Sequence, residues 1–150
     1  MGYGQFIPSS YRAYAVDFDG DNFKDIWNNK ADAIGSVANY FSRHGWQGDG
    51  PVIVRGYKTS HNLDVTANES LEPKFLAGDL RKKGIRNNLA DNKKVALFEM
   101  QGERGQEYWL GLSDFYVITR YNRSSMYALA VFQLSQAIKQ ERIDLLNSLN

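Results

Sequence analysis

The most chemically informative stretch of the sequence is an acidic loop. Asp17, Asp19, Asp21 and Asp25 stand at positions 1, 3, 5 and 9 of this loop, the alternation by which an EF-hand loop wraps oxygen ligands around calcium. Position 7, which contributes only a backbone carbonyl in such a loop, is Phe23. An oxygen-only ligand set suits calcium and excludes zinc or copper as the natural occupant. The spacing therefore predicts a structural calcium site.

Two positions of the loop depart from the EF-hand pattern. Position 6 is Asn22 instead of glycine, and asparagine is the commonest other residue in the left-handed conformation required there. Position 12 is Asn28, which lacks the charged bidentate carboxylate of the usual glutamate. Asp32, in the first turn of the next predicted helix, supplies the missing carboxylate if the loop is longer than usual. The alternative is an acidic solvated turn without an ion, in which crowded carboxylates repel one another by on the order of a kcal/mol each.

No pattern for acid–base or nucleophilic catalysis accompanies the acidic loop. Enzymes that cleave glycosidic bonds need a carboxylic acid of raised pKa. The glutamates are expected to be exposed in polar surroundings, so none is a convincing buried acid. His44 and His61 are lone histidines without a partner serine, cysteine or phosphate-binding glycine motif. We therefore assign no catalytic residue in this chain, and the residues alone indicate a binding or structural domain. The glutamates are Glu69, Glu72, Glu99, Glu103, Glu107 and Glu141.

Composition limits the class of protein. A chain of 150 residues with 43% hydrophobic and 23% charged residues is expected to fold as one domain. Its net charge of +1 provides no field that would favour nucleic acid, so no nucleic-acid partner is expected. The absence of cysteine excludes disulfides and thiolate metal sites. Tyrosine is abundant, with nine residues, and its flat face and polar tip suit sugar rings, although packing at the core edge is equally expected for any single tyrosine.

Hydrophobic spacing predicts the helices of the first fifty residues. Pro8 suits the first turn of a short helix that runs through Tyr14. Residues 30–43 have helical periodicity, with Asn29 as N-cap and Gly45 just past the end. Tyr40 lies off the apolar stripe of this helix, so it is expected to face solvent or a groove. The stripe, which is expected to face inward, comprises Ile34, Val37, Ala38 and Phe41.

The rest of the chain predicts a small sheet followed by a long helix. Strands are expected at 51–55, 95–100 and 107–112, the last two joined by a turn at 102–105, and a short helix at 73–83 closed by Gly84. Residues 58–72 are expected to form a loop. Residues 124–149 have helical periodicity over a wide arc, so the first half of that helix should be largely buried. The fold class is therefore α+β, organised as a single domain over 1–150 with a helical segment (1–50), a small antiparallel sheet insertion (51–112) and a C-terminal helical segment (113–150).

Three stretches resemble the MltB-type lytic murein transglycosylases, the soluble lytic transglycosylase B family. They are Met-Gly-Tyr-Gly-Gln-Phe-Ile-Pro-Ser-Ser-Tyr at 1–11, Ala-Val-Asp-Phe-Asp-Gly-Asp at 15–21 continuing to Asp-Ala-Ile-Gly-Ser-Val-Ala-Asn-Tyr-Phe at 32–41, and Phe-Tyr-Val-Ile-Thr-Arg-Tyr-Asn at 115–122. The resemblance covers nearly the whole chain and is weakest between about residues 56 and 92. It implies a lysozyme-like half-domain that forms the C-terminal portion of a larger enzyme.

The resemblance also implies a function. Family members cleave the bond between N-acetylmuramic acid and N-acetylglucosamine without water, leaving 1,6-anhydromuramic acid ends, and use one glutamate as acid and then base. That glutamate lies upstream of the Gly-Tyr-Gly-Gln motif, so this chain is expected to bind glycan without cleaving it. The EF-hand-like calcium loop is a family feature whose last carboxylate comes late, which matches Asp32, so the implied metal ligands are Asp17, Asp19, Asp21, Phe23 and Asp32. The implied glycan-binding residues are Gln5, Tyr40, Tyr121, Asn122 and Tyr127.

The resemblance also implies a cellular location and a partner. The parent enzyme is expected in the periplasm, anchored to the outer membrane by a lipid, with signal and anchor outside this chain. Peptidoglycan glycan strands are the expected partner, and apolar surface exposed by truncation predicts self-association. The alternative is a non-catalytic, calcium-stabilised peptidoglycan-binding or regulatory module.

Overall fold

The structure, a computed structural model, describes residues 1–59 and 63–149 and divides into two compact units, Met1–Gln47 and Gly48–Asn150. The first unit carries helices α1 (Pro8–Tyr14) and α2 (Lys30–Arg43). The second unit combines an antiparallel sheet with helices, so the α+β class is confirmed. Its elements are β1 (Ile53–Lys58), β2 (Phe75–Leu76), α3 (Ala77–Lys82), β3 (Ile85–Arg86), β4 (Lys94–Gly102), β5 (Gly105–Gly111), α4 (Ser113–Tyr121) and α5 (Ser125–Ser148).

Both predicted helices of the first unit are confirmed. Pro8 opens α1, where its missing N–H costs no helical hydrogen bond. The Asn29 side chain caps α2 by accepting hydrogen bonds from the backbone N–H groups of Ala31 (2.9 Å) and Asp32 (3.3 Å). Gly45, just past the end of α2, has a φ of +90°, a conformation that glycine adopts without a steric penalty. Local signals in the sequence are therefore sufficient to set both ends of α2.

The face that α2 buries differs from the prediction. Ile34 is 69% exposed, and the stripe to which it belongs lines an open groove of about 390 Å³ together with Tyr3 and Gly4. The preceding loop packs on the opposite face: Ser36 Oγ accepts a hydrogen bond from the Val16 N–H (3.0 Å), and Gly35 leaves room for the ring of Phe18. The expected inward stripe is therefore wrong for this unit, because small and polar residues are needed where the loop backbone approaches. The buried residues of α2 are Asp32, Ala33, Gly35, Ser36 and Tyr40.

The sheet of the second unit has the strand order β2-β4-β5-β1-β3, and all of its pairs are antiparallel. The predicted hairpin of β4 and β5 is confirmed, with register from Ala96↔Gly111 to Gly102↔Gly105. Strand β1 pairs with the other edge of β5, from Ile53↔Gly111 to Gly56↔Tyr108. Strand β5 is therefore the central strand of the sheet, with β4 on one side and β1 on the other.

Both faces of β4 are covered. On one face, Val95 and Leu97 belong to a buried cluster with Leu110 of β5 and Leu80 of α3. On the other face, the ring of Phe98 lies 5.3 Å from the ring of Phe115 of α4. A strand buried on both faces has a continuous apolar run instead of alternation, which explains the Val95–Phe98 stretch and positions α4 firmly against the sheet.

Three elements differ from their predicted form. The helix expected at 73–83 begins only at Ala77, because Phe75 and Leu76 pair with β4 as the short strand β2. The two-residue strand β3 was not predicted. In α5, only Ala128 and Leu129 are buried, so the expectation of a largely buried first half is wrong within this unit.

Across the described residues, no helix is both long enough and apolar enough to cross a membrane. The strands lie between residues 53 and 111, with helices α1 and α2 before them and α4 and α5 after them. The single-domain organisation over 1–150 stays a prediction.

Candidate metal centre and saccharide-binding residues

Four carboxylates of the first unit converge on one point. One carboxylate oxygen from each of Asp17, Asp19, Asp21 and Asp32 lies within 4.8 Å of the others. Three of these residues come from the acidic loop and the fourth from the first turn of α2, fifteen positions after Asp17. The structure therefore brings together all four aspartates that were predicted as metal ligands.

Backbone amides of the loop hold the first carboxylates in place. Asp17 accepts hydrogen bonds from the N–H groups of Gly20 (2.7 Å) and Asn22 (2.8 Å), and Asp21 accepts one from Phe23 (2.8 Å). Asn22 has a φ of +71°, which confirms the left-handed residue predicted at position 6. The loop thus wraps around its own aspartates, so these ligand positions follow from local backbone geometry.

Asp32 joins the loop to the helix. It is completely buried, and its two oxygens accept hydrogen bonds from the N–H groups of Phe18 and Asp25, both at 2.8 Å. A buried polar group needs hydrogen-bond partners to replace the water it has lost, and the two amides provide them. Asp32 therefore fastens both ends of the loop to the first turn of α2.

Asp25 has a separate role. Its Oδ1 accepts hydrogen bonds from the N–H groups of Trp27 and Asn28 (both 2.9 Å), and the Asn28 side chain donates to its Oδ2 (3.1 Å). The backbone hydrogen bond from Asn28, reinforced by that side chain, lowers the pKa of Asp25. The carboxylate at position 9 thus caps a turn and does not belong to the four-aspartate group. The backbone carbonyl of Phe23 stays a predicted ligand.

The four-aspartate group has the chemistry of a hard-cation site. Its donors are carboxylate oxygens, which suit calcium or magnesium rather than a soft metal. Without a cation, like charges at this separation repel by on the order of a kcal/mol per pair at a hydrated surface. The arrangement fits a divalent cation electrostatically, because the cation would convert this repulsion into attraction.

Two predicted saccharide residues lie in the first unit. Gln5 is exposed and has a φ of +49°, in a turn where its N–H donates to the Gly2 carbonyl (3.1 Å). A non-glycine residue in this conformation is uncommon and is often retained at functional sites. Tyr40 is only 9% exposed, stacked on His44 with ring centroids 3.9 Å apart and edge-on to Tyr14 at 4.9 Å. The expected outward orientation of Tyr40 is therefore wrong in this unit, and its place in a glycan site stays a prediction.

The other three predicted saccharide residues surround the junction of α4 and α5 in the second unit. Tyr121 ends α4 and is half-buried, Asn122 is its exposed C-cap, and Tyr127 is 41% exposed in the first turn of α5. Ser124 Oγ accepts a hydrogen bond from the Tyr127 N–H (3.2 Å), which caps α5 and makes the junction tight. The structure thus places these three residues in one short segment.

No glutamate is buried, and each of the six lies in the described part of the chain. Glu99 and Glu107 are half-buried, but both are engaged: Glu99 accepts a hydrogen bond from the Tyr108 hydroxyl (2.8 Å), and Glu107 pairs with Arg55. The hydrogen bond from Arg55 lowers the pKa of Glu107, which is the opposite of what a general acid requires. The expected exposure is confirmed for the other four glutamates and is wrong for Glu99 and Glu107.

The sequence contains two histidines, and the one that the structure describes lacks catalytic geometry. His44 hydrogen-bonds through Nδ1 to the Tyr40 carbonyl (2.7 Å) at the end of α2. His61 lies outside the described residues. The one other buried carboxylate, among the described residues, is Asp114, whose Oδ2 accepts a hydrogen bond from the Gly48 N–H (2.8 Å).

Two residues that hold the acidic loop against α2 were not predicted in that role. The sequence predicted no role for Ser36, although its buried hydroxyl accepts a hydrogen bond from the Val16 N–H and so ties the chain before the loop to α2. Asn29 was predicted only as an N-cap, but its Nδ2 also donates to Asp19 Oδ2 (2.7 Å). The available signal was the run of small and polar residues at 32, 35 and 36, which marks a face that receives backbone.

Comparison with known proteins gives a consistent family. The sequence profile of the transglycosylase SLT domain matches residues 1–136. Membrane-bound lytic murein transglycosylase B of Escherichia coli (strain K12) is 41% identical over 153 residues, covering 95% of this chain and 39% of that protein. The soluble lytic transglycosylase SltB1 from Pseudomonas aeruginosa superposes with a TM-score of 0.89 at 48% identity, over 95% of this chain and 48% of its own. The Escherichia coli lytic transglycosylase Slt35 in complex with calcium superposes with a TM-score of 0.83 at 41% identity, over 95% of this chain and 45% of its own.

The chain thus spans less than half the length of each of these relatives. The family profile nevertheless spans residues 1–136, a range that contains the four-aspartate group, the sheet and the α4–α5 junction. By sequence and by fold, the chain belongs to the transglycosylase SLT domain family, among the MltB-type lytic murein transglycosylases.

Proposed function

We propose that this chain is the glycan-binding, calcium-stabilised C-terminal part of a lytic murein transglycosylase. The parent enzyme cleaves the bond between N-acetylmuramic acid and N-acetylglucosamine without water and leaves 1,6-anhydromuramic acid ends. The observation that carries the proposal is the 41–48% identity, over 95% of the chain, to proteins named lytic transglycosylases. On this proposal the chain binds murein but does not cleave it.

The lack of cleavage follows from the carboxylates. A general acid for a glycosidic oxygen needs a raised pKa, which burial in an apolar site provides. The six glutamates are exposed or engaged, and the buried Asp32 and Asp114 are occupied by hydrogen bonds from backbone N–H groups. The acid therefore belongs to the half of the enzyme that this chain does not match.

Glycan binding is assigned to Gln5, Tyr40, Tyr121, Asn122 and Tyr127. Tyr127 offers an exposed aromatic ring at the α4–α5 junction, next to an exposed amide at Asn122. An aromatic face covers the apolar side of a sugar ring, and an amide can pair with hydroxyl or acetamido groups. Gln5 presents an amide from a strained turn, which favours a binding role over a packing role.

Calcium is assigned to the four-aspartate group, with Asp17, Asp19, Asp21, Asp32 and the Phe23 carbonyl as protein ligands. The convergence of the carboxylates within 4.8 Å supports this assignment. So does the similarity to Slt35, whose structure was solved in complex with calcium. The ion would be structural, since it would hold the loop against α2 at a distance in sequence from any proposed glycan residue of the second unit.

The proposed location and partners follow the family. The parent acts in the periplasm, attached to the outer membrane by a lipid, and peptidoglycan strands are its substrate. The chain alone is expected to self-associate through the apolar groove lined by Ile34 and Phe41. Light scattering over a range of concentrations tests this point, and a mass that stays monomeric would contradict it.

Co-sedimentation with purified murein sacculi tests the proposal. The chain should bind sacculi without reducing their turbidity. Tyr127→Ala should weaken binding about tenfold, because covering one aromatic ring contributes roughly 1.5 kcal/mol. Tyr57→Ala, a change at an exposed tyrosine of β1 in no proposed site, is the matched control and should bind like the unmodified chain.

Three outcomes would contradict parts of the proposal. Loss of turbidity with the chain alone would show that a catalytic acid is present. Failure of the unmodified chain to sediment with sacculi would remove the glycan-binding role. Equal weakening by both tyrosine changes would argue against a site at the α4–α5 junction.

A further inference from the structure

The second half of α5 carries an apolar stripe that no part of the described chain covers. Every residue from 133 to 149 is exposed. At 3.6 residues per turn, the four residues of this α5 stripe fall within roughly 60° of one another on the helix surface. A helical segment of this length without tertiary contacts is only marginally stable in water, so we expect the stripe to be buried against a partner. The α5 stripe consists of Leu134, Ile138, Leu145 and the C-cap Leu149, which are between 58% and 82% exposed.

The charged residues beside the α5 stripe are sorted by sign. By the same helical geometry, Lys139 and Arg142 lie along one edge of the stripe, and Glu141 and Asp144 lie along the other. The two members of each pair are three positions apart, so each edge places like charges next to one another. None of the four forms an ion pair with another residue that the structure describes. Each edge is therefore stabilised by opposite charges from a partner.

A second copy of α5 provides those opposite charges when the two helices run parallel. The two-fold axis of a parallel pair runs along the helices and sets the acidic edge of each helix against the basic edge of the other. Glu141 then faces the partner's Arg142, and this contact occurs twice in the dimer. In an antiparallel pair the two-fold axis crosses the helices and sets like edges together. Charge complementarity therefore favours the parallel arrangement.

The same observations favour a second copy over other occupants. Helices that bind lipid surfaces are rich in lysine and arginine on their polar face, whereas the α5 stripe is flanked by two basic and two acidic residues. The transglycosylase profile ends at residue 136, so three of the four stripe residues lie outside the matched range. The groove at Ile34 and Phe41 is a different surface, because it belongs to the first unit.

We propose that α5 pairs with the α5 helix of a second copy of this chain, in a parallel two-stranded arrangement whose seam is the α5 stripe. The stripe repeats after eleven residues, from Leu134 to Leu145 and from Ile138 to Leu149. This period is close to that of an undistorted helix, so the two helices can pack with little supercoiling. The inference goes beyond the proposed function and does not rest on it.

Analytical ultracentrifugation of the 150-residue chain over a range of concentrations tests the proposal. The unmodified chain should form a dimer. Ile138→Gln should raise the dimer dissociation constant about 100-fold, because every dimer loses the burial of two isoleucines. Ile143→Gln, at an exposed isoleucine on the opposite side of α5, is the matched control and should change the constant by less than about twofold. Circular dichroism of each variant checks that it folds.

Reversal of charge tests the two edges of the stripe. Glu141→Arg should raise the dimer dissociation constant about tenfold, because an attraction to the partner's Arg142 becomes a repulsion at two places in the dimer. Addition of Arg142→Glu to the same chain exchanges the two charges and should recover most of this loss. Such a recovery is not expected if the charges of α5 act only through the stability of the single helix.

Disulfide formation tests the orientation of the two helices. The chain has no cysteine, so Ile138→Cys introduces a single thiol. Packed helices whose axes are about 8–10 Å apart bring facing residues within reach of a disulfide. In a parallel pair the two copies of position 138 face each other, so this variant should oxidise to a covalent dimer, whereas Ile143→Cys should not. The disulfide should form equally well when Ile34→Gln is also present, since that change alters only the groove of the first unit.

Four results would overturn the proposal. A chain that stays monomeric, or equal weakening by Ile138→Gln and Ile143→Gln, would remove pairing through the α5 stripe. A disulfide that forms only when Ile138→Cys is mixed with Leu145→Cys would show an antiparallel pair. Binding to phosphatidylglycerol vesicles that Ile138→Gln abolishes, by a chain that is monomeric without them, would assign the stripe to a lipid surface.

Discussion

Asp32 accepts hydrogen bonds from the loop and is a proposed calcium ligand. Replacement of Asp32 by asparagine should separate these two roles. Asp32 accepts hydrogen bonds from the N–H groups of Phe18 and Asp25, both at 2.8 Å, and it is completely buried. Asparagine keeps the shape but has only one acceptor oxygen, so one buried N–H loses its partner. A hydrogen bond to a charged group contributes about 2 kcal/mol. Loss of the negative charge also removes repulsion with the three other aspartates, which stabilises the variant by on the order of 1 kcal/mol.

The expected net effect without calcium is therefore a loss of about 1 kcal/mol in the free energy of unfolding. Calcium at 100 times its dissociation constant should stabilise the unmodified chain by about 2.7 kcal/mol. If the loss of one charged ligand weakens calcium binding about 100-fold, the same concentration stabilises Asp32→Asn by only about 0.4 kcal/mol. In calcium, the two proteins should then differ by about 3 kcal/mol, three times the difference in EDTA.

Urea denaturation followed by tryptophan fluorescence measures the free energy of unfolding of both proteins, each in calcium and in EDTA. Trp27 and Trp46 report on the first unit, in which they lie. Asp25→Asn is the matched control: Asp25 is in the same loop but caps a turn outside the four-aspartate group. It should lower stability and leave the calcium increment near 2.7 kcal/mol. The reasoning is refuted if Asp32→Asn responds to calcium as strongly as the unmodified chain, or if EDTA reveals no difference between them.

Two further predictions concern the backbone of the loop and the ion pair of the sheet. Asn22→Ala should destabilise the chain by about 1 kcal/mol, because alanine is strained at a φ of +71°, whereas Asn22→Gly should stay within about 0.5 kcal/mol; equal effects in urea denaturation would show that the conformation is not the cause. Because the hydrogen bond from Arg55 lowers the pKa of Glu107, the stability contributed by this pair is present above the ordinary pKa of glutamate and is lost as the pH falls through the folded-state value. Glu107→Gln should therefore flatten the decline of the unfolding free energy between about pH 5 and pH 3, whereas Glu103→Gln, at an exposed site on the same hairpin, should not.

The correct predictions from sequence are those in which neighbouring residues decide the outcome. Pro8 and Asn29 identify the starts of two helices, because a first-turn proline and an N-cap side chain act within a few residues. The left-handed Asn22 follows from the turn that the alternating aspartates require. The hairpin of β4 and β5 follows from two apolar runs separated by glycines.

The wrong predictions concern which face of an element is covered. Periodicity identified a stripe at Ile34 but could not show that the loop would pack on the opposite side of α2, where Gly35 and Ser36 admit backbone. Tyr40 was expected to be outward for the same reason, and it is buried among rings contributed by α1 and the end of α2. Side-chain spacing distinguishes the apolar face of a helix from its polar face. Which of the two faces is buried depends on residues distant in the chain.

By itself, the sequence determined the family, the α+β class and which aspartates are candidate metal ligands. Each of these follows from contiguous motifs or from local periodicity. Only the tertiary structure decided that the four aspartates converge within 4.8 Å, and that the chain before α2 packs on the face of Gly35 and Ser36. The physical reason is that these arrangements need chain segments far apart in sequence to pack together, and packing is set by the whole folded unit instead of by any one stretch of it.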